Sequence, residues 1–105
     1  MNKYRDKSDF EINKAVAIAL GNVIGIRPDS NIIYLIGGDE LIEFAPCNNP
    51  ADAMPIVIEN GISSLFNGDE WICSASDGEF LSINENLYRA AMEVFLMMKD
   101  AESES

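Results

Sequence analysis

Asn49-Pro50-Ala51-Asp52, near the middle of the chain, fixes a helix start more firmly than any other local signal. Asn49 is an N-cap, Pro50 takes the first helical position where its missing amide is harmless, and Asp52 favours the positive end of the helix dipole. The helix is predicted to reach about Asn60, with Gly61 as a left-handed cap and Ile62 folding back on the last turn. Pro55 lies past the first turn and removes the bond to the Ala51 carbonyl, which predicts a kink or a tight first turn.

The rest of the chain is read outward from that helix. Ser8-Asp9-Phe10-Glu11 is a capping box, and Ile12, Ala15, Val16, Ala19 and Leu20 then repeat with helical period until Gly21 ends the helix. Residues 22–30 read as a loop with Pro28-Asp29 as turn chemistry. Asn31 to Ile36 and Glu40 to Phe44, joined through Gly37-Gly38-Asp39, make a hairpin. Ile62 to Phe66 and Glu70 to Ser74, joined at Asn67-Gly68, make a second one with a type I′ turn. After a loop around Asp77-Gly78, Asn84 or Asn86 caps a last helix to about Lys99, with Leu87, Ala90, Ala91, Val94, Phe95 and Met98 on its core face. Leu96 and Met97 lie off that face, so this helix is either sandwiched or docked on a partner. The expected fold class is α+β: three helices near 8–20, 50–60 and 85–99, packed on an antiparallel sheet of about four short strands, in the order helix, hairpin, helix, hairpin, helix. Residues 1–105 form a single domain with loose polar ends at about 1–7 and 100–105.

Charge excludes more than it assigns. Between Arg27 and Arg89 there is no Lys, Arg or His, yet eleven carboxylates fall there, in a chain of formal net charge -11. A fold core without cations cannot neutralise phosphates, so nucleic acid and anionic membrane surfaces are poor partners. The chain contains no histidine, which removes the commonest general base, the usual zinc ligand and the ordinary partner of a serine or cysteine nucleophile. Cys47 and Cys73 form no CxxC pair and no disulfide framework, and are expected to be free thiols in a reducing compartment. The apolar run Ala15 to Ile26 follows basic residues but is broken by Gly21 and Asn22, is preceded also by Asp6, Asp9 and Glu11, has no small-residue cleavage site after it and is too short to span a bilayer, so neither a secretory signal nor a membrane span is expected.

Three segments, SDFEINKAVAIALG (8–21), FAPCNNPADAMPIVIENGIS (44–63) and NLYRAAMEVFLMM (86–98), resemble the NinX-like family of small proteins from tailed bacteriophages and enterobacterial prophages. The resemblance covers all three expected helices in order. Met54 stands where the family carries an aromatic, and Tyr88 interrupts the closing motif. It implies a phage or prophage protein acting in the host bacterial cytoplasm and dispensable to the host, with relatives among accessory genes near recombination and late-control functions. The family has no established activity, so no catalytic residue carries over.

Weighed for chemistry, Cys47 sits two residues before the Asn49 cap, where a helix N-terminus lowers a thiol pKa and Asn48 and Asn49 are potential oxyanion donors. Without a base or a nearby cation, a small buried hydrophobe is the stronger reading. The pairs Asp39 with Glu40, Asp69 with Glu70, and Asp77 with Glu79 lack the spacing of a calcium loop and read as solvated turns. Gly37-Gly38 lacks the lysine and helix start of a phosphate loop, and Tyr34 and Trp71 lack the basic flanks of a base-stacking platform. No catalytic, cofactor-binding or metal-binding residue is assigned, and no cofactor is expected.

The function expected from these features is a non-enzymatic accessory protein that binds a basic host or phage protein through an acidic, partly apolar surface, with mimicry of DNA charge as a narrower version. Candidate interaction residues are Glu40, Glu43, Met54, Asp69, Glu70, Leu96 and Met97, with a homodimer through the last helix if the domain leaves Leu96 and Met97 uncovered. The rivals are a small enzyme using Cys47 or clustered carboxylates, and an oligomeric structural module.

Overall fold

A computed structural model describes residues 2–27 and 29–104. Pro28, part of the expected Pro28-Asp29 turn, lies outside the described residues. The elements are α1 (Asp9–Ala19), β1 (Ile24–Arg27), β2 (Ile32–Gly37), β3 (Glu40–Glu43), α2 (Pro50–Asn60), β4 (Ser63–Phe66), β5 (Trp71–Ala75), β6 (Phe80–Asn84) and α3 (Leu87–Glu104). The fold is α+β, and the expectation of one sheet of about four strands is corrected: two separate antiparallel sheets of three strands each, β1-β2-β3 and β4-β5-β6, take its place.

Each expected hairpin gained one strand from a segment read as loop. In β1, Gly25 interrupts a run of only four residues, and glycine in a strand weakens the pattern that marks one. The reason at β6 is an inversion of the usual alternation. Phe80 packs inward, but Ser82, the one buried residue of the strand, is polar while Leu81 and Ile83 are exposed, so the centre of the strand is polar inward and apolar outward.

The helix boundaries follow the caps. The Ser8 hydroxyl accepts from the Glu11 amide at 3.1 Å, and the Glu11 carboxylate accepts from the Ser8 amide at 3.2 Å. The Asn49 side chain accepts from the Ala51 amide at 3.0 Å, and Gly61 ends α2 at φ 63° with Ile62 donating back to the Val57 carbonyl. Helix α2 continues through Pro55. The Asn86 side chain accepts from the amides of Tyr88 and Arg89, which makes it the cap of α3. That helix runs to Glu104, five residues beyond the expected Lys99.

Two local expectations change. Asn67-Gly68 is part of a four-residue connection, because Phe66 pairs with Trp71 and the Asn67 side chain accepts from both the Asp69 and Glu70 amides. The buried face of α1 carries Ile12, Asn13, Val16 and Ala17, whereas Leu20 is exposed. The face is turned towards Asn13, whose side-chain Oδ1 accepts from the Cys47 amide at 2.9 Å.

Helix α3 is the centre of the molecule, packed on β5 and β6 on one side and on α1 and α2 on others. Seven successive residues, 90–96, are at most 3% exposed. Two of its buried residues are charged. Arg89 Nε donates to Glu93 at 2.6 Å, Nη1 to Asp9 at 2.6 Å, and Nη2 to the carbonyls of Tyr4 and Lys7 at 2.9 and 2.6 Å. Glu93 also accepts from Asn2 and Ser82, each at 2.6 Å. The two polar ends of the chain therefore meet on α3, where the Tyr4 hydroxyl donates to Asp100 and Lys3 pairs with the same carboxylate at 3.2 Å.

Arg89→Ala leaves the Glu93 carboxylate buried without its cation and frees the carbonyls of the leader. Breaking one side of a buried pair costs roughly 3–5 kcal/mol, a large share of the roughly 5–15 kcal/mol that holds a domain of this class together. The expected outcome is a fall in the unfolding free energy of that size, with a lower urea midpoint, read by far-UV circular dichroism.

Candidate functional site

Cys47 lies in the loop between β3 and α2, where backbone bonds hold it on both sides. Its amide donates to Asn13 of α1, and its carbonyl accepts from the Asn86 side chain at 2.7 Å, so one residue ties the starts of α2 and α3 to α1. The side chain is fully buried. Burial, with the Asp9 charge as the second cause, pushes the thiol up to about 12, against the direction a nucleophile needs. Burial likewise raises Cys73 to about 11, and its sulfur lies 3.7 Å from the Leu87 carbonyl. Both cysteines are free. Asn13 was not marked by the sequence, where it reads as a polar residue inside an amphipathic helix.

The acidic pairs stand at the ends of the sheets. Asp39 lies in the Gly38-Asp39 turn beside Glu40, Asp69 and Glu70 belong to the β4–β5 connection, and Asp77 and Glu79 to the β5–β6 connection. Among the described residues, no group of three or more Cys, Asp or Glu is gathered closely enough to hold a metal ion. Gly38 has φ 60° and forms the tip of the β2–β3 hairpin. Tyr34 and Trp71 belong to different sheets, and Trp71 packs against Phe66 with ring centroids 5.0 Å apart.

The candidate interaction residues occupy four places. Glu40 and Glu43 begin and end β3, all four of whose residues are exposed. Met54 is 37% exposed on α2. Asp69 is exposed, while Glu70 is half-buried and shares a shallow groove with Arg5, Leu81 and Ile83. Leu96 is 3% exposed and Met97 half-buried within a single copy. The domain thus covers Leu96 by its own packing, and the motive for a dimer through the last helix disappears.

Among the described residues no ion pair uses any of the eleven carboxylates between Arg27 and Arg89. The pairs are Lys3–Asp100, Lys7–Glu11, Arg89–Asp9, Arg89–Glu93 and Lys99–Glu102, all made by residues outside that stretch. Asp52 bonds the Ala45 amide at 3.0 Å, and none of the eleven is buried. Arg89, the cation that closes the stretch, is itself buried. The surface of residues 28–98 therefore carries carboxylates without an exposed cation. Among the described residues no helix is long and apolar enough to cross a membrane.

Two outcomes follow from these burials. A thiol whose folded pKa is raised adds stability below its ordinary pKa of 9.0, and that stability is lost as pH rises towards 12 for Cys47 and 11 for Cys73. Thermal melts are expected to fall steeply above pH 9 and less steeply in Cys47→Ala, while a small alkylating reagent labels neither thiol in native protein and both in urea. Leu96→Glu places a carboxylate in the packed centre of α3, so it is expected to lower stability by roughly 3 kcal/mol or more rather than to split a dimer, as denaturant titration will read.

A family model described as "Bacteriophage P22, NinX" matches residues 3–99, a span that takes in every strand, α1, α2 and the buried part of α3. No curated protein and no solved structure matches the chain. With nearly its whole length covered by that match, the chain belongs to the phage P22 NinX family.

Proposed function

We propose that this chain is a phage accessory protein that works in the bacterial cytoplasm without catalysing a reaction, by binding a basic host or phage protein. The observation that carries this reading is β3, where Glu40, Leu41, Ile42 and Glu43 are all exposed on a sheet edge with no ion pair made to either glutamate. Leu41 is 65% and Ile42 52% exposed.

The register divides the strand between two faces. Leu41 and Glu43 stand with Ile36 and Tyr34 on one side, and Glu40 and Ile42 with Gly37 and Leu35 on the other. Apolar side chains supply contact area, and the flanking glutamates draw a cation and disfavour an anion. An edge strand also offers unpaired backbone groups to an extended partner segment. Arg27, the exposed cation of the same sheet, lies on β1 at the opposite edge. A partner with lysine or arginine beside apolar anchors fits β3, and a phosphate backbone does not.

Two measurements test the proposal. The protein is expected to pass through a DNA column at physiological salt and to capture a basic protein from infected-host lysate in a way that high salt reverses. Glu40→Lys with Glu43→Lys is expected to slow association with that protein by about tenfold while changing its release less, because exposed charges chiefly steer encounter. Retention of DNA, capture indifferent to salt, or undiminished association of the charge-reversed protein would defeat the proposal.

A further inference from the structure

We infer that the free edge of β4 is a self-association surface, at which a second copy of this chain adds its own β4 antiparallel to join the two three-stranded sheets into one of six. The inference is independent of the partner proposed for β3, since it concerns the other sheet.

Three observations lead to it. First, β4 overhangs the domain: it is an edge strand, helix α3 packs on β5 and β6, and all four residues of β4 are exposed, those of the inward pleat included. Second, the edge is unguarded. Residues 60–68 contain no charged side chain, and β4 itself has no proline, whereas Glu40 and Glu43 guard β3, Arg27 marks the end of β1, and Glu85 follows β6. Natural edge strands are normally protected by charge, proline or a bulge, because an open ladder recruits another strand. Third, an apolar row runs to this edge and stops. Leu65, Ile72 and Ile83 are cross-strand partners on the outer face of the sheet, and Leu65, the last of them, is 65% exposed.

Charge selects the occupant. Two copies each carrying a formal charge of -11 repel almost wherever they touch, and the uncharged residues 60–68 are a strip where they meet without setting carboxylate against carboxylate. A basic partner would gain nothing from this strip and has a better seat on β3. A strand pairing that sets Leu65 opposite Leu65 of the second copy keeps both outer faces on one side and makes the apolar row continuous through the dimer. Phe66, 52% exposed and tilted against Trp71, adds apolar area on the other face of the same edge. Four residues a side make a small interface, so the dimer belongs to the weak, concentration-dependent class.

Sedimentation equilibrium of the full chain over a wide concentration range tests the inference. Wild-type protein is expected to follow a monomer–dimer equilibrium that added salt shifts towards dimer, since salt screens the repulsion between like-charged copies. Leu65→Glu is expected to raise the dimer dissociation constant by about tenfold or more, because it replaces an apolar cross-strand pair with opposed like charges. Ser63→Glu, on the same exposed strand, moves it in the same direction. Leu41→Glu is the control, at the same 65% exposure on the edge of the other sheet, and leaves the constant unchanged. Circular dichroism confirms that each variant keeps its fold. A wild-type monomer at every concentration, or a dimer weakened equally by Leu41→Glu, overturns the inference.

Discussion

The fold depends on one cation, Arg89, placed where a cation is hardest to keep. Burial by itself lowers the guanidinium pKa, and the bonds to Asp9 and Glu93 outweigh that, so the net shift is upward and the charge stays. Through a single side chain, α3 is joined to the start of α1 by Asp9 and to the leader by the Tyr4 and Lys7 carbonyls. Glu93, one turn further along, completes the junction by accepting from Ser82 of β6 and from Asn2. Among the described residues no buried side-chain nitrogen or oxygen lacks a partner, which is the condition under which a polar knot of this kind is tolerated in a core.

What the sequence made legible was local chemistry. The Ser8 box, the Asn49-Pro50 start and the Gly21 and Gly61 ends each rest on a residue type bound to its own neighbours and stand where they were expected, and of the two caps offered for α3, Asn84 or Asn86, the helix uses Asn86. What it hid was the interior polar chemistry. Asn13 is buried because it answers Cys47, and Ser82 and Glu93 because they answer Asn2, groups far along the chain, with Arg89 one turn away completing the bonds to Glu93. A periodicity argument assigns such residues to the surface. That error turned the face of α1 and erased β6, whose one buried residue is a serine. The all-apolar run in α3 was read as either sandwiched or docked on a partner, and the sequence had no means of choosing; α1, α2 and a sheet supply the cover.

The same limits apply to the candidate surface. Net charge and the cation-free stretch are countable in a sequence, and the exposure of Glu40, Glu43 and Asp69 agrees with that count. The grouping of those residues is set by sheet topology. Splitting the strands into two sheets places Glu40 and Glu43 in one sheet and Asp69 and Glu70 beside the other, and brings Arg5 of the leader next to Glu70. Adding β1 and β6 makes β2 and β5 central strands, and the separation of the two sheets leaves β3 and β4 as edges, where exposed backbone gives a strand something to do.

The division of charge has a further consequence for how such a protein tolerates change. Among the described residues every ion pair is drawn from residues before Arg27 or from Arg89 onward, so the carboxylates between them take no part in these pairs, and Asp52 instead accepts from the Ala45 amide. Altering one of them other than Asp52 breaks no ion pair of the described residues, while it lowers or raises the general repulsion of a chain at -11. The ion pairs that support the fold and the β3 residues proposed for recognition are therefore different residues. A partner that neutralises β3 relieves repulsion without competing for any contact the core requires, so binding and folding work in the same direction, the bound form being the more stable one.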